Sequence, residues 1–262
     1  MNNFSINNLL DQHAVKNLFE IFERENKEIC LVGGCVRDVL LGKQNYDIDI
    51  AANILPDDII KILNKNNIPF KDFAYKYGSI TAIIDNTKIQ ITTLREDINQ
   101  IGRHTDIIFT DDWKKDAKRR DFTFNAIYLS SDGNLKDYFG GKKDLYENKV
   151  KFIGNINNRL QEDYLRIFRY YRFLGIFKKP KSIDGYEEIL KINCVKSFSF
   201  LSNNLLREEI LKMFNTSFPL NSFINYNNNK RFWIELVKQN FIKKKYNLGL
   251  EKCINKIDIL LN

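Results

Sequence analysis

The chain opens with apolar residues at helical spacing. Between residues 8 and 22 they recur every three or four positions, which predicts an amphipathic helix. Short apolar runs then predict strands at residues 29–32, 46–52, 79–85 and 88–93, with helices at 36–41 and 56–64. The last two strands are predicted to pair as a hairpin across Asn86 and Thr87. Residues 95–110 lack periodicity, and we predict a mobile loop there. The first half of the chain is therefore expected to form an α/β or α+β module.

Beyond about residue 141 the pattern changes from strands to helices. After a short apolar stretch at residues 150–153, helical spacing covers residues 160–177, 186–195, 205–214 and 232–241. An asparagine-rich, polar linker at residues 221–230 precedes the last of these segments. The second half is therefore predicted to be all-α.

Charge separates the two halves further. The 262 residues carry a net charge of +8, which divides into −2 for residues 1–150 and +10 for residues 151–262. A basic second half indicates an anionic partner. A hydrophobic content of 44% excludes a disordered chain.

Cysteine and histidine usage argues against a structural zinc site. The four cysteines show no C-x-x-C spacing, and the chain has only two histidines. No apolar run is long enough to span a membrane, and the first residues lack the pattern of a signal peptide. We therefore expect a reduced, cytoplasmic location and no membrane partner.

Two carboxylates two residues apart form the first candidate site. Asp47 and Asp49 alternate with apolar residues in the predicted strand at residues 46–52. Residues two apart on a strand face the same side, about 6.6 Å apart, so both carboxylates can converge on divalent metal. An isolated pair of this kind is more often the solvated face of a half-buried strand. The preceding segment favours the metal site.

That segment is a glycine turn between a predicted strand and a predicted helix. Backbone amides at Gly33 and Gly34 can receive a phosphate, and Arg37 adds a forked donor. The segment is not a P-loop, because the first glycine of that motif would fall at Arg37. A phosphate turn followed by paired carboxylates predicts phosphoryl or nucleotidyl transfer.

A basic cluster lies further along the chain. Arg119 and Arg120 directly precede an apolar stretch at residues 122–128 that must be buried, so both arginines lie at the edge of a core. Arginine at such an edge suits bidentate contact with phosphate.

Four motifs in this order resemble the bacterial class II tRNA nucleotidyltransferase and poly(A) polymerase family. They are GGCVRDVLLG and DIDIA within residues 31–51, RRDFTFNA at 119–126, DYFGGKKDL at 137–145 and EDYLRIFRYYRF at 162–173. The resemblance implies an α+β fold: a polymerase-β-type nucleotidyltransferase head of mixed sheet and helices, followed by an all-α neck and body. It places the head at residues 1–145, the neck at 146–220 and a partial helical body at 221–262.

The resemblance also implies an activity. The family adds C and A residues to the 3′ end of tRNA from CTP and ATP, without a template, with Mg²⁺ and with release of pyrophosphate. Asp47 and Asp49 would be catalytic and hold the metal. The residues expected to contact the triphosphate or sugar are Gly34, Arg37, Arg119, Arg120 and Asn125. The expected partner is the tRNA 3′ end, and no obligatory protein partner is evident.

The fourth motif is expected to select the base. On one continuous helix Glu162, Asp163, Arg166 and Arg169 would share a polar stripe, which could equally be an ordinary salt-bridged face. Cytosine and adenine both present an amine beside a ring nitrogen acceptor, so a carboxylate with a guanidinium matches both. In the family the residues matching Asp163 and Arg166 act as this protein template, with those matching Arg169 and Arg172 nearby.

One departure from the family pattern, and the range of activities that the motifs fit, leave alternatives open. Gln90 stands where polymerases of this superfamily commonly carry a third carboxylate, and Asp121 is a possible substitute. The same motifs also fit CC-only addition, A-only addition and poly(A) synthesis. A catalytically weakened RNA-binding protein is the alternative outside the enzyme class.

Overall fold

The computed structural model describes residues 4–45, 47–101, 104–197 and 199–224. By its internal contacts the chain forms two units. Among the described residues, the first contains those from 4 to 100, from 104 to 146 and from 151 to 154, and the second contains residue 101 and those from 147 to 150 and from 155 to 224. The predicted helix at residues 232–241 and most of the predicted body lie outside the described residues. The head, neck and body boundaries stay predictions.

A seven-stranded mixed sheet forms the centre of the first unit. The strand order is β3-β4-β5-β2-β1-β8-β9. The strands of this sheet are β1 (Ile29–Val32), β2 (Ile48–Ala52), β3 (Phe70–Ala74), β4 (Ser79–Ile84), β5 (Thr87–Thr93), β8 (Ile127–Leu129) and β9 (Leu135–Asp137). The remaining two strands, β6 (Arg95–Ile101) and β7 (His104–Phe109), pair with each other in a separate two-stranded sheet.

The register of the sheet sets up the site. Strands β2 and β5 run parallel, and the pairing places Asp49 beside Gln90. Strands β4 and β5 form the predicted hairpin, but its turn lies one residue earlier than predicted: the turn residues are Asp85 and Asn86, and both have positive φ. Two central residues with positive φ match the right-handed twist of the flanking strands.

Six helices accompany the sheet in the described part of the first unit. They are α1 (Ile6–Leu10), α2 (His13–Arg24), α3 (Gly34–Leu40), α4 (Pro56–Lys65), α5 (Trp113–Arg119) and α6 (Gly141–Tyr146). The prediction of one helix at residues 8–22 was wrong in its bounds. A capping box at Ser5 and Asn8 starts a separate short helix, and the backbone leaves the helical conformation at Gln12.

The predicted loop at residues 95–110 was also wrong. The segment forms the β6–β7 hairpin. Main-chain hydrogen bonds between neighbouring strands do not require an apolar face, so a sequence without periodicity can still pair in this way.

Helices make up the described part of the second unit. They are α7 (Ile156–Glu162), α8 (Leu165–Leu174), α9 (Tyr186–Ser197), α10 (Asn203–Phe214) and α11 (Pro219–Ile224). Helix α8 contacts the other four. Residues 221–224 of the predicted linker belong to α11, and the rest of that linker lies outside the described residues. No helix in the described ranges is long and apolar enough to cross a membrane.

The predicted continuous helix at residues 160–177 was wrong. The chain is extended at Asp163, between α7 and α8, with φ −154° and ψ 105°. The Asp163 carboxylate accepts a hydrogen bond from the Leu165 N–H at 2.9 Å. An aspartate that binds the backbone two residues ahead competes with continuation of a helix, which explains the break.

Candidate active site

The glycine turn between β1 and α3 forms one wall of the site. Gly33 has φ +81°, and a Cβ there would lie 3.7 Å from Asp49 Oδ2 and 3.8 Å from Arg120 Nη1. A glycine at this position therefore permits the backbone conformation, and the turn lies next to both a carboxylate and a guanidinium. A Cβ on Gly34 would lie 3.2 Å from Asn45 Nδ2.

The two predicted carboxylates differ in their surroundings. Asp49 lies within β2 and is half-buried, whereas Asp47 is exposed and precedes the strand, which begins at Ile48. The Asp47 N–H donates to Asn45 Oδ1 at 2.8 Å. Burial raises the pKa of the Asp49 carboxyl, the Arg120 charge lowers it, and the Asp47 charge raises it. The two carboxylates therefore interact electrostatically, although Asp47, which was predicted to lie within the strand, precedes the observed one.

An amide occupies the neighbouring strand position. Gln90 is paired with Asp49 across β2 and β5, and its Nε2 donates to Ser79 Oγ at 2.7 Å. Asp121 accepts a hydrogen bond from Asn125 Nδ2 at 3.0 Å. Among the described residues, no group of three or more acidic, histidine or cysteine side chains could hold a metal ion. Asp121 therefore does not complete a three-residue cluster with Asp47 and Asp49.

Three arginines and Asp49 line a single cleft of about 370 Å³. The polar and aromatic residues of its lining are Asp49, Tyr77, Ser79, Gln90, Thr92, Arg95, Arg119 and Arg120. Burial and, to a smaller extent, the charge of Arg119 lower the pKa of Arg95 to about 10. The cationic groups repel each other in this space, so an anion bound in the cleft would be stabilised.

A buried carboxylate holds this cationic cluster in place. Asp116 is 1% exposed, and it accepts from Arg119 Nε at 2.9 Å, Arg120 Nη2 at 3.0 Å and the Tyr128 hydroxyl at 2.7 Å. It also accepts from the Arg95 N–H at 3.3 Å. Burial raises the pKa of Asp116, but the charges of Arg120 and Arg119 hold it well below its usual range.

The sequence interpretation missed Asp116 and Arg95. Asp116 lies three and four positions before Arg119 and Arg120 on α5, and that spacing is a detectable sign of helical ion pairs. Arg95 directly follows the apolar run that ends at Leu94, but it was assigned to the predicted loop.

A second polar network contains Arg37 and Asn125. Arg37 Nη1 donates to Asn125 Oδ1 at 3.0 Å, and Arg37 Nε and Nη2 both donate to the Asp38 carboxylate. Asn45 Nδ2 donates to the same carboxylate at 2.6 Å. Asp121 holds the amide of Asn125. The turn, α3 and the 3₁₀ turn at Thr123–Asn125 thus bring these predicted site residues together.

The second unit holds the predicted base-selecting residues. Arg166 is 6% exposed, and its Nη1 donates to the Arg159 carbonyl at 2.8 Å and to the Glu162 carboxylate at 2.5 Å. Asp163 is half-buried at the break between α7 and α8. The predicted polar stripe on one continuous helix was therefore wrong, because the helix is interrupted at Asp163.

The other two predicted arginines lie along α8. The Arg169 and Arg172 guanidiniums lie 5.9 Å and 4.5 Å from the Phe173 ring centroid. Arg172 Nε forms an ion pair with Glu209 of α10 at 2.8 Å, and Lys212 Nζ lies 3.1 Å from the same carboxylate. Glu209 is 3% exposed, so it ties α8 to α10 and fixes Arg172.

A mixed sheet that presents a strand carboxylate beside a glycine turn and an arginine-lined cleft defines a nucleotidyltransferase-type head. Residues 29–151 match the family described as the poly A polymerase head domain. Those residues are therefore a poly A polymerase head domain, and the chain is a relative of CCA-adding enzymes. The family resemblance and the α+β fold expected from the four motifs are confirmed.

Individual relatives agree with this assignment. The mitochondrial CCA tRNA nucleotidyltransferase 1 of Homo sapiens is 45% identical over 173 residues, which cover 65% of this chain and 40% of that protein. The Bacillus stearothermophilus CCA-adding enzyme in complex with CTP is 26% identical, with a TM-score of 0.69 over 79% of this chain and 49% of that one.

A further solved structure is the Thermotoga maritima CCA-adding enzyme complexed with tRNA_CCA. It is 26% identical, with a TM-score of 0.68 over 93% of this chain and 57% of that chain. The chain spans less than half the length of the curated relatives it matches, for example 40% of the human protein.

Proposed function

We propose that the chain is a tRNA nucleotidyltransferase that adds C and A residues to the tRNA 3′ end from CTP and ATP. The observation that carries this proposal is the juxtaposition of Asp49 with Arg119 and Arg120 in one cleft beside the glycine turn. A carboxylate and clustered guanidiniums in one cleft suit a metal-bound nucleoside triphosphate. The solved relatives with CTP and with tRNA support the same substrates.

The donor set fits Mg²⁺. Asp47 and Asp49 offer hard carboxylate oxygens, and the charge of Asp47 raises the pKa of Asp49, so a cation would relieve their repulsion. Mg²⁺ is commonly held by one or two carboxylates together with substrate phosphates, so Asp47 and Asp49 are enough to hold the ion without a third carboxylate. When bound, the metal would lower the pKa of the attacking hydroxyl and neutralise charge on the α-phosphate.

The arginines would orient the triphosphate. Arg119 and Arg120 are fixed by Asp116, so their orientation costs little further entropy when the nucleotide binds. Gly34, Arg37 and Asn125 would contact the phosphate or sugar from the neighbouring network. The RNA 3′-hydroxyl then attacks the α-phosphate, the bond to the β-phosphate breaks, and pyrophosphate leaves.

Base selection belongs to residues of the second unit. Asp163 would accept from the exocyclic amine of cytosine or adenine, and Arg166 would donate to the adjacent ring nitrogen. Glu162 holds Arg166 in one orientation. Uracil and guanine offer the opposite donor and acceptor pattern, which costs about 1–3 kcal/mol for each mispaired group. Arg169 and Arg172 would support this pair along α8.

The experiment is nucleotide addition to tRNA that ends at the discriminator base, at C or at CC. Purified protein is incubated with Mg²⁺ and with CTP and ATP singly and together, and product length is measured. Asp47→Asn and Asp49→Asn are each expected to lower kcat by on the order of 10²-fold or more, because each removes metal charge stabilisation. The control is Asp111→Asn, which replaces an exposed carboxylate in the loop before α5. Near wild-type turnover by Asp49→Asn would reject the metal assignment.

Product length also separates the alternatives. CC-only, A-only and poly(A) synthesis each give a distinct ladder from the same substrates. The amide at Gln90 favours a second candidate, a catalytically weakened RNA-binding protein, because an amide adds no charge to a metal site. That candidate predicts RNA binding with no extension of any primer. The cytoplasmic location expected from the sequence stays a prediction.

A further inference from the structure

The outermost strand of the mixed sheet carries aromatic rings that face solvent. Phe73 in β3 is 89% exposed. Tyr75 and Tyr77 follow it in a 3₁₀ turn and are also exposed. We call residues 71–77 the aromatic edge. Rings this exposed bury little area and contribute little to the core, so their positions call for another explanation.

A β-bulge directs Phe73 outward. Strand β3 pairs Lys71 with Thr81 and Ala74 with Ser79, so two residues of β3 lie opposite one residue of β4. A bulge of this kind bends a strand and re-aims its side chains, and bulges are frequent at sheet edges and next to active sites. The exposure of Phe73 is thus built into the backbone.

Lysines accompany the rings. Lys71 Nζ lies 5.9 Å from the Phe73 ring centroid, and Lys76 Nζ lies 4.8 Å from that of Tyr77. Asp72 is the acidic residue within the aromatic edge. Aromatic rings with adjacent cations are the usual platform for single-stranded nucleic acid, since bases stack on the rings and cations contact the backbone.

The aromatic edge is continuous with the cleft that contains Asp49. Tyr77 lines that cleft, and the Tyr77 carbonyl accepts a hydrogen bond from Arg95 Nη1. The Tyr75 hydroxyl donates to Asp57 of α4 at 2.5 Å, which fixes the turn against the sheet. A strand of RNA lying on the aromatic edge would therefore enter the cleft.

We propose that the aromatic edge binds the unpaired 3′-terminal nucleotides of the RNA acceptor. Bases stack on Phe73 and Tyr77, and Lys71 and Lys76 contact phosphates. This proposal deepens the proposed function and rests on it. A protein partner fits the surface less well, because lysine is depleted in protein interfaces and the bulge interrupts the ladder that an added strand would need.

RNA affinity measured without nucleotide tests the proposal directly. A fluorescently labelled tRNA transcript that ends at CC, and so carries several unpaired 3′-terminal nucleotides, is titrated with protein, and the Kd is read from anisotropy. Phe73→Ala is expected to weaken binding between about 5-fold and about 150-fold, the range for loss of one stacked base. Phe73→Trp keeps a ring and should restore affinity. Tyr146→Ala, which removes a 60% exposed ring at the end of α6, should change Kd by less than about 2-fold.

Salt dependence tests the lysines. Lys71→Ala and Lys76→Ala are each expected to reduce the slope of log K against log salt by about 0.7, because each removes one phosphate contact to a single strand. Phe73→Ala should leave that slope unchanged. A reduced slope for Phe73→Ala would indicate a general loss of RNA contact rather than loss of stacking, and would overturn the assignment.

Two results would overturn the proposal outright. One is Phe73→Ala binding RNA as tightly as the unchanged protein, and the other is absence of RNA binding by the unchanged protein. A protein that binds RNA through Phe73 but extends no primer would refute the proposed function and keep this inference. If the protein extends the primer but Phe73→Ala leaves its RNA affinity unchanged, this inference is refuted and the proposed function is kept.

Discussion

The buried Asp116 carboxylate holds two arginines of the cleft, Arg119 and Arg120, and Asp116→Asn tests this role. The substitution keeps the shape but replaces an acceptor oxygen with an amide donor. The groups that face it are the guanidiniums of Arg119 and Arg120 and the Tyr128 hydroxyl, at 2.9, 3.0 and 2.7 Å, and the Arg95 backbone N–H at 3.3 Å. Both guanidiniums keep their charge and lose the partner that separates them.

The expected loss is about 3–5 kcal/mol in the free energy of unfolding, the range for breaking a buried ion pair by removing one partner. That is a large fraction of the roughly 5–15 kcal/mol that stabilises a typical domain. Urea denaturation of both proteins measures it as a shift in midpoint at constant slope. Asp111→Asn, an exposed carboxylate close in sequence, is the matched control and should change stability by less than about 0.5 kcal/mol.

The pH dependence gives an independent check. The pKa of Asp116 is lowered in the folded protein, so its stabilisation is fully present above the unfolded pKa of about 4. It is lost as the pH falls below about 4 towards the lowered folded pKa, by up to about 1.4 kcal/mol per pH unit. The difference in stability between the unchanged protein and Asp116→Asn should therefore be constant above about pH 5 and shrink below pH 4. A small difference at neutral pH, or one independent of pH down to about 3, would refute the reasoning.

Two further substitutions test residues that hold predicted site residues in place, one in each unit. A Cβ on Gly141 would clash with the Thr123 carbonyl oxygen, so Gly141→Ala should lower the free energy of unfolding by about 1–3 kcal/mol and lower kcat by displacing Asn125. In Gly133→Ala the Cβ meets nothing within 4 Å but the backbone has φ +83°, so this control carries local strain and should leave kcat unchanged. Glu209→Gln should lower the free energy of unfolding, measured by urea denaturation, by about 1–3 kcal/mol, because it removes the buried charge that pairs with Arg172. An equal loss for Glu208→Gln, a change at the exposed neighbouring residue, would refute that role.

Local patterns were enough to predict much of the head. The alternation around Asp49 and the glycines before α3 predicted the strand, the turn and the helix, because a buried strand and a positive-φ turn each restrict the residues that can occupy them. The hairpin of β4 and β5 was predicted for the same reason. The order of four motifs added the family and the expected activity.

Helix continuity and the paired segment at residues 95–110 were not predictable in this way. The break at Asp163 depends on one side-chain hydrogen bond to Leu165 N–H, which competes with a helical pattern that remains favourable on both sides. The β6–β7 hairpin depends on main-chain pairing, which leaves no apolar periodicity in the sequence.

The sequence by itself determined which chemistry is present: paired carboxylates, a glycine turn, arginines at a core edge and a basic second half. Tertiary structure alone decided which of these groups meet. It placed Gln90 beside Asp49 by strand register, and it used buried Asp116 to hold Arg119 and Arg120 in the cleft. The physical reason is that burial sets the strength of a charge interaction, and burial depends on residues far apart in the chain.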